Sequence, residues 1–277
     1  MMKFLAVLCL VAFAAAFSAV AAEHKAFTVD GVEIIALRDS GGDPSGKNRP
    51  ELLVGLEEAN AGKYLVDGAM KNSINCFVVK TGKETLLFDT GLGSDKAKGE
   101  LPESLAAAGL KPEDIDAVII THFHPDHIGG LVKGGEAVFP TARLMVPRRE
   151  IETNPQAAMT FMTAYAGRLH TFEWDHPVAD GVVALDASGH TPGHSAFLVD
   201  GKVLIAGDVI HFGGIQLPAP DVAVTYDTDP KAAIAARKRI FDMAVTGDYT
   251  VATMHLPFPG IGKVARDGDG YSFVETK

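Results

Sequence analysis

Short apolar runs recur along the chain and alternate with more polar stretches. Runs of this kind, rich in Val, Ile, Leu and Phe, are typical of β-strands. We predict strands at 26–37, 73–79, 85–88, 117–121, 143–146, 182–186, 196–199 and 202–206. The last two of these strands flank Asp200-Gly201, a dipeptide that favours a two-residue hairpin turn.

The clearest helical segment is 230–245. Asp229 can cap its amino-terminal end, Pro230 suits the first helical position, and Gly247 follows the end. This segment is therefore predicted to be one regular helix.

Shorter helices are expected at 102–108 and 155–165. Strands joined partly by hairpins and partly through helices indicate mixed sheets with the helices outside, an α/β (α+β) architecture. Residues 40–49 are rich in Gly, Asp and Pro and predict a loop that reaches over a site.

The first residues resemble a targeting signal. Lys3 precedes an apolar stretch at 4–17, and small residues follow up to Ala22. Because this stretch is shorter than the roughly 20 residues that span a bilayer, residues 1–22 are predicted to be a secretory signal peptide, with an uncleaved anchor as the alternative. We therefore expect a periplasmic or secreted protein without stable membrane insertion, whose residues 23–277 form a single domain.

The charge balance argues against a nucleic-acid partner. The formal net charge is −10, so a polyanion meets an overall negative field. Residues 237–239 form a basic run, which is predicted to be the solvated face of a helix. Small neutral substrates suit such a protein better than polyanions do.

The most informative stretch is the heptapeptide 121–127, which follows an apolar run. It holds His122, His124, Asp126 and His127. Neutral imidazole is the commonest protein ligand for zinc, and a carboxylate adds a harder oxygen donor. A short backbone cannot direct four side chains at one ion about 2 Å away, so this segment predicts more than one ion and further ligands downstream.

Three downstream donors have a matching context. His194 ends the segment 189–194, Asp208 follows the strand-like run 202–206, and His255 opens a Pro- and Gly-rich turn. Each lies in a turn after or beside a strand-like run. Several strands can therefore deliver these side chains to one edge of a sheet.

This donor order resembles that of the metallo-β-lactamase superfamily, and Asp89-Thr90-Gly91 matches an early turn of the same family. The resemblance implies a four-layer αββα sandwich with two divalent metal ions, expected to be zinc with manganese, iron or cobalt as alternatives, at one edge of its two sheets. It places one ion on His122, His124 and His194, a second on Asp126, His127 and His255, and Asp208 between them.

The resemblance also implies roles for other side chains. A hydroxide shared by the two ions is the expected nucleophile, with Asp126 and Asp208 as catalytic residues. His211, beside the metals, is taken as a further catalytic residue that assists the leaving group, a structural hydrogen-bonding role being the alternative. Asp89 is expected to accept a hydrogen bond from a ligand imidazole, a plain turn aspartate being the alternative. His190 is expected to lie outside the ligand set.

Within the superfamily, the carboxyl-terminal third most resembles the methyl parathion hydrolase group. That similarity implies cleavage of aryl esters, lactones or organophosphate triesters, and a possible homodimer. An acyl-homoserine lactonase is the alternative, although His211 stands where those enzymes commonly have tyrosine. A redox member or a non-catalytic metal-binding member of the fold is the alternative from a different class. The aromatic residues proposed for an apolar pocket are Phe161, Phe172, Trp174, Phe212 and Phe258.

Overall fold

The computed structural model describes residues 22–42, 47–93 and 99–277, so the predicted signal peptide lies almost wholly outside the described residues. In chain order the strands are β1 (His24–Val29), β2 (Val32–Ser40), β3 (Leu53–Val54), β4 (Ile74–Lys80), β5 (Thr85–Phe88), β6 (Ala117–Ile119), β7 (Val132–Lys133), β8 (Glu136–Ala137), β9 (Arg143–Pro147), β10 (Leu169–Phe172), β11 (Pro177–Ala179), β12 (Val182–Asp186), β13 (Ser195–Val199), β14 (Val203–Ile205), β15 (Ala223–Val224), β16 (Thr250–Ala252), β17 (Ile261–Asp267) and β18 (Gly270–Glu275).

The helices are short except for the last one. They are α1 (Leu101–Ala107), α2 (Pro125–Ile128), α3 (Arg148–Thr153), α4 (Pro155–Ala158), α5 (Gly213–Gln216) and α6 (Pro230–Thr246). Single 3₁₀ turns occur at Pro50–Leu52, Gly62–Tyr64 and Pro112–Asp114. Within the described ranges, no helix is both long and apolar enough to cross a bilayer.

Most predicted elements are confirmed, and two are corrected. The run 26–37 is not one strand: it folds back at Asp30-Gly31, where both residues have positive φ, to give β1 and β2. This is the same turn chemistry that was recognised at Asp200-Gly201, where β13 and β14 form the predicted hairpin. The helix predicted at 155–165 ends at Ala158 and continues as turns.

Two seven-stranded sheets make up most of the fold. The first has the order β1-β2-β4-β5-β6-β9-β10, and its last four strands are mutually parallel. The second has the order β11-β12-β13-β14-β16-β17-β18, in which only β14 and β16 pair in parallel. Parallel neighbours present their carboxyl ends at the same edge, and this determines where the polar residues after those strands meet.

Adjacent residues of the central strands bury their side chains in different layers. In β4, Phe77 and Val79 enter the core between the sheets, whereas Cys76 and Val78 face an outer layer. In β14, Val203 and Ile205 enter the inner core and Leu204 faces the other outer layer. Strands covered on both faces need apolar residues at every position, which explains the continuous apolar runs in the sequence.

The outer layers complete a four-layer αββα arrangement, as predicted. Leu101 and Leu105 of α1 pack on the outer face of the first sheet, and Ile240 and Phe241 of α6 pack on that of the second. The Asp229 side chain caps α6 by accepting hydrogen bonds from backbone N–H groups in the first turn of the helix.

Arg237 departs from the prediction that residues 237–239 form a solvated face. Its side chain is 1% exposed because it lies on the apolar face of α6. The guanidinium donates to the carbonyls of Val209 (2.6 Å), Pro220 (2.7 Å) and Val222 (2.8 Å). Arg237 therefore joins the helix to the chain that follows β14.

Replacing Arg237 with Met should lower the free energy of unfolding by about 3 kcal/mol or more, because three buried carbonyls lose a charged donor. The matched control is Lys238→Met, which removes a half-exposed ion pair with Asp221 and should cost less than about 1 kcal/mol. Urea unfolding of both variants measures the difference. Equal losses would contradict the structural role assigned to Arg237.

Candidate metal centre

The heptapeptide predicted to bind metal begins just after β6 and runs into α2. Pro125 takes the first helical position, so the chain turns from strand to helix between His124 and Asp126. His122 and His127 are buried, and His124 and Asp126 are partly exposed. The change of direction lets the four side chains point to two different places.

The downstream donors arrive at the same edge because of the sheet topology. Asp208 follows β14 and His255 follows β16, and these two strands are parallel neighbours. His190 lies in the loop between β12 and β13. Strand ends from both sheets therefore supply the site.

Asp208 is the centre of the cluster. Its Oδ2 lies 3.0 Å from Nε2 of His255 and 3.3 Å from Nε2 of His190, and its Oδ1 lies 3.3 Å from Nε2 of His127. His211 Nε2 is 3.2 Å and His122 Nε2 is 3.8 Å from Oδ2. Burial alone would raise the pKa of Asp208, but the surrounding imidazoles, His127 and His255 first, hold it well below its usual value.

The donor atoms fall into two main groups that meet at Asp208. The first contains His122, His124, His190 and Asp208, and the second contains Asp126, His127 and His255. A third combination, Asp208 with His211 and His255, overlaps the second. Within each group the donor atoms lie within 4.8 Å of one another, close enough to share a cation.

Unpartnered polar atoms at the same place fit a bound cation. Nε2 of His122, Nε2 of His127 and Oδ1 of Asp208 are buried and make no hydrogen bond. Buried nitrogen and oxygen atoms without partners are costly in a folded protein unless a ligand or ion satisfies them. The donor set and its orphaned atoms therefore suit divalent metal ions.

His190 and His194 exchange the places that the sequence interpretation assigned to them. His194 is engaged at both ring nitrogens: Nδ1 is 2.8 Å from the Ala187 carbonyl, and Nε2 accepts from the Asp208 backbone N–H at 2.9 Å. His190 instead places Nε2 2.9 Å from Nδ1 of His124, inside the first donor group. The structure therefore brings His190, and not His194, to the other donors.

The electrostatic surroundings separate the same two histidines. Burial lowers the pKa of His190, but hydrogen bonds to Asp208 and Asp227 outweigh burial and raise it to about 9. Burial and the neighbouring His190 lower the pKa of His194 to about 3. The two shifts differ because His190 contacts two carboxylates, whereas His194 is hydrogen-bonded to backbone groups.

Three of the inward-facing imidazoles, those of His127, His190 and His255, have a partner on the other ring nitrogen. The predicted hydrogen bond to Asp89 is present: His127 Nδ1 lies 2.7 Å from Asp89 Oδ2. Likewise, Asp227 Oδ1 lies 2.9 Å from Nδ1 of His190, and the Ser73 carbonyl oxygen lies 3.1 Å from Nδ1 of His255. Such partners fix the tautomer and the ring orientation. The sequence did not predict the parts played by Asp227 and Ser73.

The donor cluster forms the floor of a cavity of about 420 Å³. Leu52, Met70, Ile74 and Phe212 supply apolar lining, and Tyr226 adds a phenol ring. Of the five aromatic residues proposed for a pocket, only Phe212 lines this cavity. Phe161 and Phe172 are buried in the core, and Trp174 and Phe258 pack against it.

The loop predicted to reach over a site lies beside this cavity. Gly42, Lys47 and Arg49 are among the lining residues, and the intervening positions 43–46 lie outside the described residues. The predicted catalytic side chains Asp126, Asp208 and His211 also line it. The ring of His211 stacks on that of His255 with centroids 5.0 Å apart and planes at 15°.

Comparisons with known proteins agree with this fold. The family model "Metallo-beta-lactamase superfamily" matches residues 70–255. An N-acyl homoserine lactonase from Bacillus sp is 26% identical over 186 residues, which cover 53% of this chain and 72% of the relative. The crystal structure of hydrolase AbOPH is 28% identical with a TM-score of 0.78 and covers 92% of this chain and 98% of its own.

AidC, described as a dizinc quorum-quenching lactonase, is 24% identical with a TM-score of 0.76, over 93% of this chain and 98% of its own. At this identity the likeness shows the fold. On the match of the family model, the chain belongs to the metallo-beta-lactamase superfamily and is a metallo-hydrolase of that family.

Proposed function

We propose that this protein is a dinuclear metal-dependent hydrolase that cleaves ester-type bonds in small neutral substrates. One observation carries the proposal: two groups of donor atoms converge on the single carboxylate of Asp208, with Nε2 of His122, Nε2 of His127 and Oδ1 of Asp208 left without hydrogen bonds. Sites with two metals of this kind are typical of hydrolytic enzymes.

The geometry favours a particular division of ligands. His122, His124 and His190 would hold one ion, Asp126, His127 and His255 would hold the other, and Asp208 would contact both. When bound, the ions would lower the pKa of a coordinated water and polarise the oxygen of the scissile group. We propose zinc, by analogy with AidC, although His and Asp donors also accept manganese, iron and cobalt.

The cavity supports an ester or lactone with an apolar portion. Leu52, Met70, Ile74 and Phe212 offer an apolar wall beside the donors. The lactonase relatives and AidC, whose structure holds an acyl-homoserine product, support a lactone as one substrate class. Aryl esters and organophosphate triesters complete the proposal, through the resemblance to the methyl parathion hydrolase group. Secretion or a periplasmic location is part of the same proposal.

His211 is proposed to stabilise negative charge on the reacting oxygen by hydrogen bonding. Burial lowers the pKa of His211 to about 4, so its imidazole is neutral at neutral pH and donates an N–H without giving up a proton. Nε2 is 3.2 Å from Asp208 Oδ2, which places this donor beside the two metal groups. A neutral donor preset in a closed site stabilises developing charge effectively.

The first test is metal removal with a panel of substrates. The purified protein should contain close to two metal ions per chain, and chelation should abolish hydrolysis of aryl esters and lactones, with phosphotriesters and β-lactams assayed beside them. His124→Ala serves as the control for contaminating activity. Full activity in metal-free protein, or equal rates in the parent and His124→Ala, would refute the proposal.

His190→Ala and His194→Ala should differ in metal content. Removing His190 takes a donor from the first group, so we expect about one ion per chain and a loss of activity of 10²-fold or more. Removing His194 breaks its bonds to Ala187 and to the Asp208 amide, so we expect lower thermal stability with two ions retained. Elemental analysis and thermal unfolding distinguish these outcomes. The reverse pattern would restore His194 as the ligand.

His211→Phe keeps the ring stacked on His255 and removes both ring nitrogens. If His211 is a hydrogen-bond donor to the reacting oxygen, kcat should fall by about 10²- to 10³-fold with little change in KM or metal content. Steady-state kinetics and metal analysis on the same preparation measure this. A loss of one metal ion would show instead that His211 is a ligand.

A further inference from the structure

Glu150 is a buried carboxylate that the proposed metal ligands do not include. It lies on α3, directly after β9, and is 1% exposed, whereas the preceding Arg148 and Arg149 are exposed. In the sequence this polar run resembles an ordinary surface segment. The structure instead places Glu150 beneath the metal centre.

The two oxygens of Glu150 bind two different loops. Oε2 accepts from the Phe123 N–H at 3.0 Å, and Oε1 accepts from the Gly193 N–H at 2.7 Å. Phe123 stands between His122 and His124, and Gly193 is three residues after His190. One carboxylate thus connects the loop that carries two donors of the first group to the loop that carries the third.

Gly193 packs closely on this carboxylate. A Cβ added at position 193 would lie 2.6 Å from the Glu150 backbone nitrogen, 2.8 Å from its Cγ and 2.9 Å from its Oε1. The same two loops also meet through the Ser195 N–H, which donates to the Thr121 carbonyl at 3.0 Å. The separation of the loops is therefore fixed by close contacts on both sides.

The second donor group is held by other residues. The His127 ring is fixed by Asp89, and the His127 backbone carbonyl accepts a hydrogen bond from the Thr90 N–H. The His255 ring is fixed by the Ser73 carbonyl. Glu150 makes no hydrogen bond to these groups. Glu150 should therefore affect metal binding at the first position and not at the second.

We propose that Glu150 is a positioning residue for the first metal ion, a proposal that rests on the dinuclear function proposed above. By holding the two loops together, it sets the convergence of His122 and His124 with His190. Nδ1 of His124 and Nε2 of His190 are 2.9 Å apart, so a small shift of one loop changes the geometry of the donors. Supporting hydrogen bonds of this kind commonly govern metal affinity.

Glu150→Gln tests the proposal with the least change in shape. The amide keeps one acceptor oxygen but turns an NH₂ group toward a backbone N–H, so one of the two bonds is lost. The dissociation constant of the first ion should rise about 10- to 100-fold, with that of the second unchanged. Glu152→Gln, an equal loss of charge at an exposed position of the same helix, should leave both constants unchanged.

Zinc titration against a chromophoric chelator gives the two constants, and native mass spectrometry gives the stoichiometry. His190→Ala and His255→Ala identify which step belongs to which donor group. If the parent protein binds no metal, the dinuclear function itself fails. If the parent binds two ions and Glu150→Gln weakens both equally, or neither, the role proposed for Glu150 is overturned.

Gly193→Ala approaches the same contact from the opposite loop, because its methyl group would displace Glu150. It should weaken the first ion selectively, as Glu150→Gln does. Circular dichroism checks that each variant is folded. Should Glu150→Gln not fold, Gly193→Ala decides: a selective loss of the first ion supports the proposal, and unchanged or equally weakened sites overturn it.

Discussion

Five imidazoles lie within 4 Å of the Asp208 carboxylate and expose almost none of their surface, and the rest of the structure depends on tolerating this concentration of polar groups. An ionised carboxylate costs several kcal/mol to bury unless opposite charge and hydrogen bonds compensate. The surrounding imidazoles hold the pKa of Asp208 well below its usual value, which favours the ionised carboxylate. A divalent cation between these donors would relieve the same constraint.

The sheets meet this constraint by ending many strands at one edge. Asp89 follows β5, the heptapeptide follows β6, and Glu150 follows β9, all from parallel neighbours of the first sheet. Asp208 and His255 follow the parallel pair of the second sheet. Side chains at strand ends are fixed by a ladder of backbone hydrogen bonds but can still point into a cavity. The apolar layers therefore serve the site by fixing where each strand ends.

The sequence predicted the strands because central strands buried on both faces need unbroken apolar runs, and it predicted the heptapeptide because donors so close together have few other uses. It placed His194 among the ligands and His190 outside them, although both follow a glycine and lie only four residues apart. Only the folded loops show that His194 meets the Asp208 N–H. Arg237 was misplaced for a similar reason: a basic run does not reveal which of its members the helical phase turns inward.

The donors come from two halves of the chain that fold into different sheets. Residues 122–127 follow a strand of the first sheet, whereas Asp208 and His255 follow strands of the second, so neither half alone holds a complete group. A nascent chain that has made only the first sheet cannot yet retain the ions by these contacts. Ions captured afterwards would act as cross-links between the halves, since binding only to the docked state stabilises that state. In such a protein bound metal would add to the apolar core that already joins the two sheets, besides allowing the enzyme to act.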